Sequence, residues 1–249
     1  MSSRDKIRFA ARTDIGRRRQ NNEDSFMVLS GENNAYVVIL ADGMGGHNRG
    51  ELASSIAVKY VADRLAEDMY NDITVERTAK LIAEIIEKAN VKVYLKSLED
   101  PANAGMGTTL TVGIFLNSRL IIGHVGDCRV CLLRRRDYLH LTVDHTLVQL
   151  MVDRGEVKPE DAPHHPHRNV VTRALGTPEY MFADVSEFTL EKGDRFIFSS
   201  DGLHDYVPEK LIEETVRQAA GPREAVDRLI ALANEAGGSD NVTVIAAYL

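Results

Sequence analysis

Apolar runs in this chain repeatedly stop at an acid set among glycine, serine or asparagine. The sharpest case is VVILADGMGGH (37–47), where a strand-like run meets Asp42 and glycines follow at 43, 45 and 46. Asn21-Asn22-Glu23-Asp24 precedes FMVL, and Gly126-Asp127 joins two apolar strands. Ser199-Ser200-Asp201-Gly202 ends RFIF with Asp205 just beyond, and Gly237-Gly238-Ser239-Asp240-Asn241 opens the final run. Turn chemistry accounts for the glycines, serines and asparagines one at a time. It does not account for a carboxylate at the mouth of a buried strand, where an unpaired charge is costly. If these strand ends converge, their carboxylates repel unless they are protonated or bridged by cations. Hard oxygen donors without a Cys or His core favour Mg²⁺ or Mn²⁺ over zinc. Two such ions close together make a site for phosphoryl transfer or hydrolysis.

The elements between these breaks set the fold class. KIRFAAR (6–12) and YVVILAD (36–42) read as strands. Leu52, Ile56, Tyr60 and Leu65 keep one face of a long helix, and Leu81, Ile85, Ala89 and Val93 keep one face of a second, with a break at Tyr70-Asn71-Asp72. TLTVGIFL (109–116) and RLIIGHVG (119–126) read as a hairpin across Asn117-Ser118, and VCLLRR (130–135) as a further strand. RFIFSSDG is another strand. Two more helices open at Pro208 and after Gly221-Pro222, and NVTVIAAYL closes the chain. Strands come in runs with helix pairs between them, so a doubly wound parallel sheet is disfavoured and antiparallel sheets covered by helix pairs fit better. No linker or repeat divides residues 1–249, which predicts a single domain.

The net charge of −7 argues against a nucleic-acid surface. No apolar run reaches membrane-span length, and MSSRDKIRF lacks a signal-peptide core, so the expectation is a cytoplasmic protein with no membrane contact and no tail beyond Leu249. The two cysteines, Cys128 and Cys131, have C-x-x-C spacing. In a strand that spacing puts them on opposite faces, with no second pair to complete a zinc site, so they read as small core or surface residues.

RRRQNNED, VVILADGMGGHNRGE, GTT (107–109), GDCR (126–129), VVTRALG, SSDGLHD and GGSDNVTV stand in the order seen in the metal-dependent protein phosphatases of the 2C type. The chain resembles their bacterial form from about Phe9 to Val244. The resemblance implies an α+β fold: a central β-sandwich of two antiparallel sheets flanked by pairs of α-helices, with a flap subdomain at about 145–175. It implies a protein serine/threonine phosphatase that hydrolyses phosphoserine and phosphothreonine monoesters with a metal-activated bridging water. Carried over residue by residue, Asp42 resembles the acid bridging two Mn²⁺ or Mg²⁺ ions. Asp201 and Asp240 match acids completing the first metal site, and Glu23 with the Gly43 carbonyl matches ligands of the second. Asp24 resembles a neighbouring acid that orients water, and Arg19 the arginine that grips substrate phosphate. Asp127, with Asp201 and Asp205, matches acids that hold a third, weaker ion. The implied partners are phosphorylated proteins, serine/threonine kinases among them, and the implied state is a monomer.

This sequence departs from the pattern at one position. Some members carry a histidine just after the Asp-Gly pair, proposed as general acid, and here Met44 stands there with no proton to give. His47 reads first as a structural or loop residue and only second as a substitute acid, and a metal-bound water is a further source of the proton. His164, His165 and His167 read as a solvent-exposed tract in the flap. A dinucleotide loop fails because Gly43-Met44-Gly45-Gly46-His47-Asn48 has no glycine at the sixth position, and no Gly-Lys-Ser/Thr follows for a P-loop. A binding module that had lost its chemistry would have lost metal ligands, whereas Asp42, Asp201 and Asp240 are all present.

Overall fold

In β3 (Tyr36–Met44), every residue from Tyr36 to Ala41 is buried, although its neighbours run antiparallel to it. Such a strand needs cover on both faces. Val37, Ile39 and Ala41 point to one apolar cluster, and Tyr36, Val38 and Leu40 to another. The same alternation splits β11 (Val242–Tyr248): Val242, Val244 and Ala246 on one side, Ile245 and Ala247 on the other. These period-two faces generate four layers, helices on sheet on sheet on helices.

The computed structural model describes residues 6–31, 35–45, 49–68, 74–178 and 180–249. One sheet has the order β1 (Arg8–Asp14), β11, β10 (Arg195–Ser199), β7 (Arg129–Arg134), β8 (Asp137–His140). The other has the order β2 (Asp24–Ser30), β3, β5 (Leu110–Leu116), β6 (Arg119–Val125), β9 (Asp184–Thr189), and the short β4 (Gly107–Thr108) pairs with the end of β3. Every pairing is antiparallel. Between the sheets, Phe115 meets Phe9 and Phe196 edge-on at 5.6 and 5.5 Å, a favourable aromatic geometry. Helices α1 (Arg49–Asp68) and α2 (Val75–Glu99) cover the β3 sheet, and α5 (Glu209–Gln218) and α6 (Pro222–Glu235) cover the β11 sheet. The expected sandwich with flanking helix pairs is therefore the observed architecture.

Local readings differ in instructive ways. The 110–125 hairpin forms as expected, with Asn117 at φ 57° in its turn. The fully buried face of α1 is Ala53, Ala57 and Val61, joined by Leu65, while Leu52, Ile56 and Tyr60 are only half-buried at its flank. Small residues let α1 lie close on β3, so the larger apolar stripe is not the contact line. Strands β8 and β9 carry DYLH and DVSEFT at sheet edges, where polar side chains face solvent and the alternation signal fades. After β10, the chain does not simply turn. Ser200 takes the N-cap position of a short helix, α4 (Asp201–His204). Residues 141–183 hold α3 (Leu147–Asp153), whose N-cap Thr146 accepts from Gln149 N, and a 3₁₀ turn at Ala162–His164. His164 and His167 are exposed there. His47 and the 70–72 break lie outside the described residues.

Candidate metal centre

Register brings the acids to one end of the sandwich. Asp24 opens β2 directly opposite Asp42 near the end of β3. On the other sheet, Ser199 at the end of β10 pairs with Val244 of β11 and with Arg129 of β7, so Asp201, Asp240 and Asp127 leave their strands at the same edge.

The main chain of Asp42 is fixed by the GTT segment. Its N–H donates to Thr109 Oγ1 at 2.8 Å, and its carbonyl accepts from Thr109 N at 2.8 Å and Thr108 Oγ1 at 2.9 Å. Next to it, Gly43 N donates to the Glu23 carbonyl, which also accepts from Ser54 Oγ of α1. A Cβ on Gly43 would lie 2.1 Å from the Gly50 carbonyl oxygen, and one on Gly50 2.8 Å from the Glu23 carboxyl carbon. The glycines are thus required by the close approach of α1, which presses the buried Glu23 side chain against the β3 end.

Asp24 ties the two sheets together. Its Oδ2 accepts from Ser200 Oγ at 2.8 Å and Thr243 Oγ1 at 2.6 Å, whereas Oδ1 is buried with no partner. Asn241 anchors the β11 entrance: its amide donates to the Ile15 and Asn21 carbonyls, and its Oδ1 accepts from Glu23 N. Arg19 Nη2 reaches Asp240 Oδ2 at 2.6 Å with its own side chain about half exposed.

Asp127 sits in a turn gripped by His145, whose N–H donates to the Gly126 carbonyl at 2.8 Å while its Nδ1 accepts from Gly126 N at 3.1 Å. His145 Nε2 therefore carries the proton and donates to Asp184 Oδ2 at 3.0 Å. Asp144 lies beside Asp127 but is held by Arg129 through Nε at 3.0 Å and Nη2 at 2.6 Å. Asp205 lies near the same group, with Arg168 Nε 3.8 Å away.

The electrostatics record the convergence. Burial, then repulsion from Asp24, Asp201, Asp127 and Asp240, pushes Asp42 well above the usual carboxylate range. Burial, then Asp127, Asp240, Asp205 and Asp24, does the same to Asp201. Burial raises Asp24 to about 6, and burial with Asp144 raises Asp127 to about 7. Arg19 feels Asp240, Glu23 and Asp201. The residues singled out from the sequence are brought to one place: Arg19, Glu23, Asp24, Asp42, Gly43, Asp127, Asp201, Asp205 and Asp240. Asp144 and His145 were missed, although VDHT repeats the signature of an acid after a short apolar stretch.

Among the described residues, no three His, Cys, Asp or Glu side chains stand in a closed coordination cage. Asp24 is turned to its hydroxyl donors and Asp240 to Arg19. The donor set still fits divalent cations. It is all oxygen, its acids repel one another, and a buried oxygen of Asp24 lacks a partner; hard cations relieve each of these. Both cysteines are free and buried: Cys128 lies between the sheets beside Thr109 Oγ1 at 3.2 Å, and Cys131 faces α5.

Comparison with known proteins covers nearly the whole chain. Residues 15–240 match the family described as protein phosphatase 2C. The chain is 38% identical over 234 residues to the serine/threonine phosphatase stp of Listeria monocytogenes, covering 94% of this chain and 92% of that one. The solved serine/threonine phosphatase of S. agalactiae superposes with a TM-score of 0.91 at 33% identity, covering 98% of this chain and 99% of that one. The catalytic domain of the phosphatase PstP, solved in complex with two manganese ions, superposes at 0.83 with 36% identity and 97% of both chains covered. Sequence match, superposition and an oxygen-only cluster of mutually repelling acids agree, and the chain belongs to the protein phosphatase 2C family as a serine/threonine protein phosphatase.

Proposed function

We propose that the converged acids hold two Mn²⁺ or Mg²⁺ ions, with Asp42 between them, Asp201 and Asp240 on one side, and Glu23 with the Gly43 carbonyl on the other. Asp127, Asp201 and Asp205 would hold a third, weaker ion. The observation that carries this reading is the placement of Asp42, a carboxyl on which burial and the charges of Asp24, Asp201, Asp127 and Asp240 from both sheets converge. PstP, solved with two manganese ions, supports the count of two. When bound, such ions lower the pKa of water and screen phosphoryl charge.

The chain's own groups do the rest. Arg19 is free to swing from Asp240 to a phosphate, offering a planar fork of N–H donors. Asp24, anchored by Ser200 and Thr243, has its second oxygen left without a partner, and that oxygen would orient bound water by accepting a hydrogen bond from it. The substrates are phosphoserine and phosphothreonine proteins, serine/threonine kinases among them, met by a cytoplasmic monomer of one domain whose 145–175 segment forms a flap. Among the described residues no helix is long and apolar enough to cross a membrane. Hydrolysis of a phosphothreonine peptide tests the reading: turnover should need added Mn²⁺ or Mg²⁺ and stop with chelator. Full activity in the metal-free protein would end it.

A further inference from the structure

Away from the acid cluster, Cys131 on β7 faces His140 across the β7–β8 pair. Its sulfur lies 3.8 Å from His140 Nδ1, and His140 Nε2 is 2.7 Å from Glu209 Oε2 at the start of α5. The carboxylate accepts a hydrogen bond from Nε2–H, which leaves Nδ1 to accept from the thiol. The Tyr138 hydroxyl turns to the same sulfur, and its ring stands edge-on to His140 at 5.8 Å. A sulfur nucleophile, an imidazole base and an orienting carboxylate are thereby aligned, the order of groups that lets a base take a nucleophile's proton as it attacks. His140 is accordingly pushed up to about 9, first by its hydrogen bond with Cys131.

Cys131 is 5 % exposed and lines a cavity of about 20 Å³, enough for one water-sized solute. Arg129, His140, His204 and Glu209 line both that cavity and a neighbouring groove of about 950 Å³ that runs past Asp127 and Asp205. Cys128 gives an internal contrast. It is fully buried, its neighbour is the neutral Thr109 hydroxyl, and the nearby Asp42 and Asp127 oppose its ionisation beyond the effect of burial.

We propose that Cys131 is a thiol-modification site, activated by His140 and Glu209 and reached by hydrogen peroxide from the groove side. The thiolate sulfur attacks one peroxide oxygen, the O–O bond breaks, and sulfenic acid forms on Cys131. The departing hydroxide takes the proton held on His140 Nδ1 and leaves as water, so sulfur is oxidised by two electrons and the peroxide reduced by two.

The test treats the whole folded protein with hydrogen peroxide, traps sulfenic acid with dimedone and locates adducts by peptide mass spectrometry. The expected result is an adduct on Cys131 and none on Cys128, forming about tenfold more slowly in His140→Gln, since an unassisted thiol is only a few per cent ionised near neutral pH. Glu209→Gln, at an exposed position, should also slow it and guards against misfolding of the first variant. No adduct on Cys131, equal labelling of both cysteines, or an unchanged rate in both variants would overturn the assignment.

Discussion

Arg19 closes its guanidinium on Asp240 at 2.6 Å, yet nearly half of its side chain stays exposed, so the pair is a weak surface-type interaction that a phosphate can displace. Arg19→Ala should lower kcat/KM for phosphopeptides by roughly 10- to 100-fold, the worth of a charge-assisted hydrogen bond. Metal affinity by calorimetry should hold or rise, because Asp240 is released. Arg19→Lys should recover only part of the loss, since it keeps charge without the fork. A parallel fall in metal affinity would make Arg19 a structural residue.

At the scale of elements, the decisive contact is α1 against the end of β3. Gly43→Ala would place a Cβ 2.1 Å from the Gly50 carbonyl and 2.6 Å from the Glu23 carbonyl, and backbone cannot yield as a side-chain tip can. The helix start must then retreat, at about 1–3 kcal/mol of overpacking. Denaturant midpoints should show that loss, and calorimetry should show weaker Mn²⁺ binding because Glu23 moves with the contact. Gly155→Ala is the control. It has φ +72° but nothing within 4 Å of its Cβ, so it should be destabilised without any change in metal binding. The crossing of α1 could not be read from its sequence stripe. Leu52, Ile56 and Tyr60 gave the period, but the approach distance set by Gly43 and Gly50 moved the contact line to Ala53, Ala57 and Val61.

For the whole molecule, the acid cluster links pH, metal and stability. Asp24 at about 6 and Asp127 at about 7 bind protons more tightly folded than unfolded, where 3.8 applies. Folded protein therefore holds the extra protons, and their contribution falls as pH rises from about 4 through about 7. His124 acts oppositely: burial lowers it to about 4, so its contribution is lost as pH falls from 6.5 toward 4. Comparing protein with and without metal cancels the histidine term. The rise in Tm on adding Mn²⁺ should grow with pH from about 5 to 8, as the acids lose the protons that compete with the cation. Asp201→Asn should shrink that rise and stabilise the metal-free protein, because it removes one charge from the repelling set. A metal-induced shift that is flat in pH would place these acids outside the metal site.

Which residues are available, and where the strands break, can be read from the order of the amino acids. Apolar runs such as 36–41 need two covered faces, and acids at their ends are an anomaly that local turn chemistry leaves unexplained. The ordered motifs added the family resemblance and with it the sandwich. Which acids meet is settled in the folded chain, because Coulomb energy depends on distance in space and not along the chain. Asp127 and Asp144 both follow short apolar stretches. In the fold Arg129 clasps Asp144 on two sides, while Asp127, pinned by its turn on His145, faces Asp201 and Asp205. One acid thereby becomes a structural partner, and the other, buried beside Asp144 and Asp205, keeps a carboxyl raised to about 7.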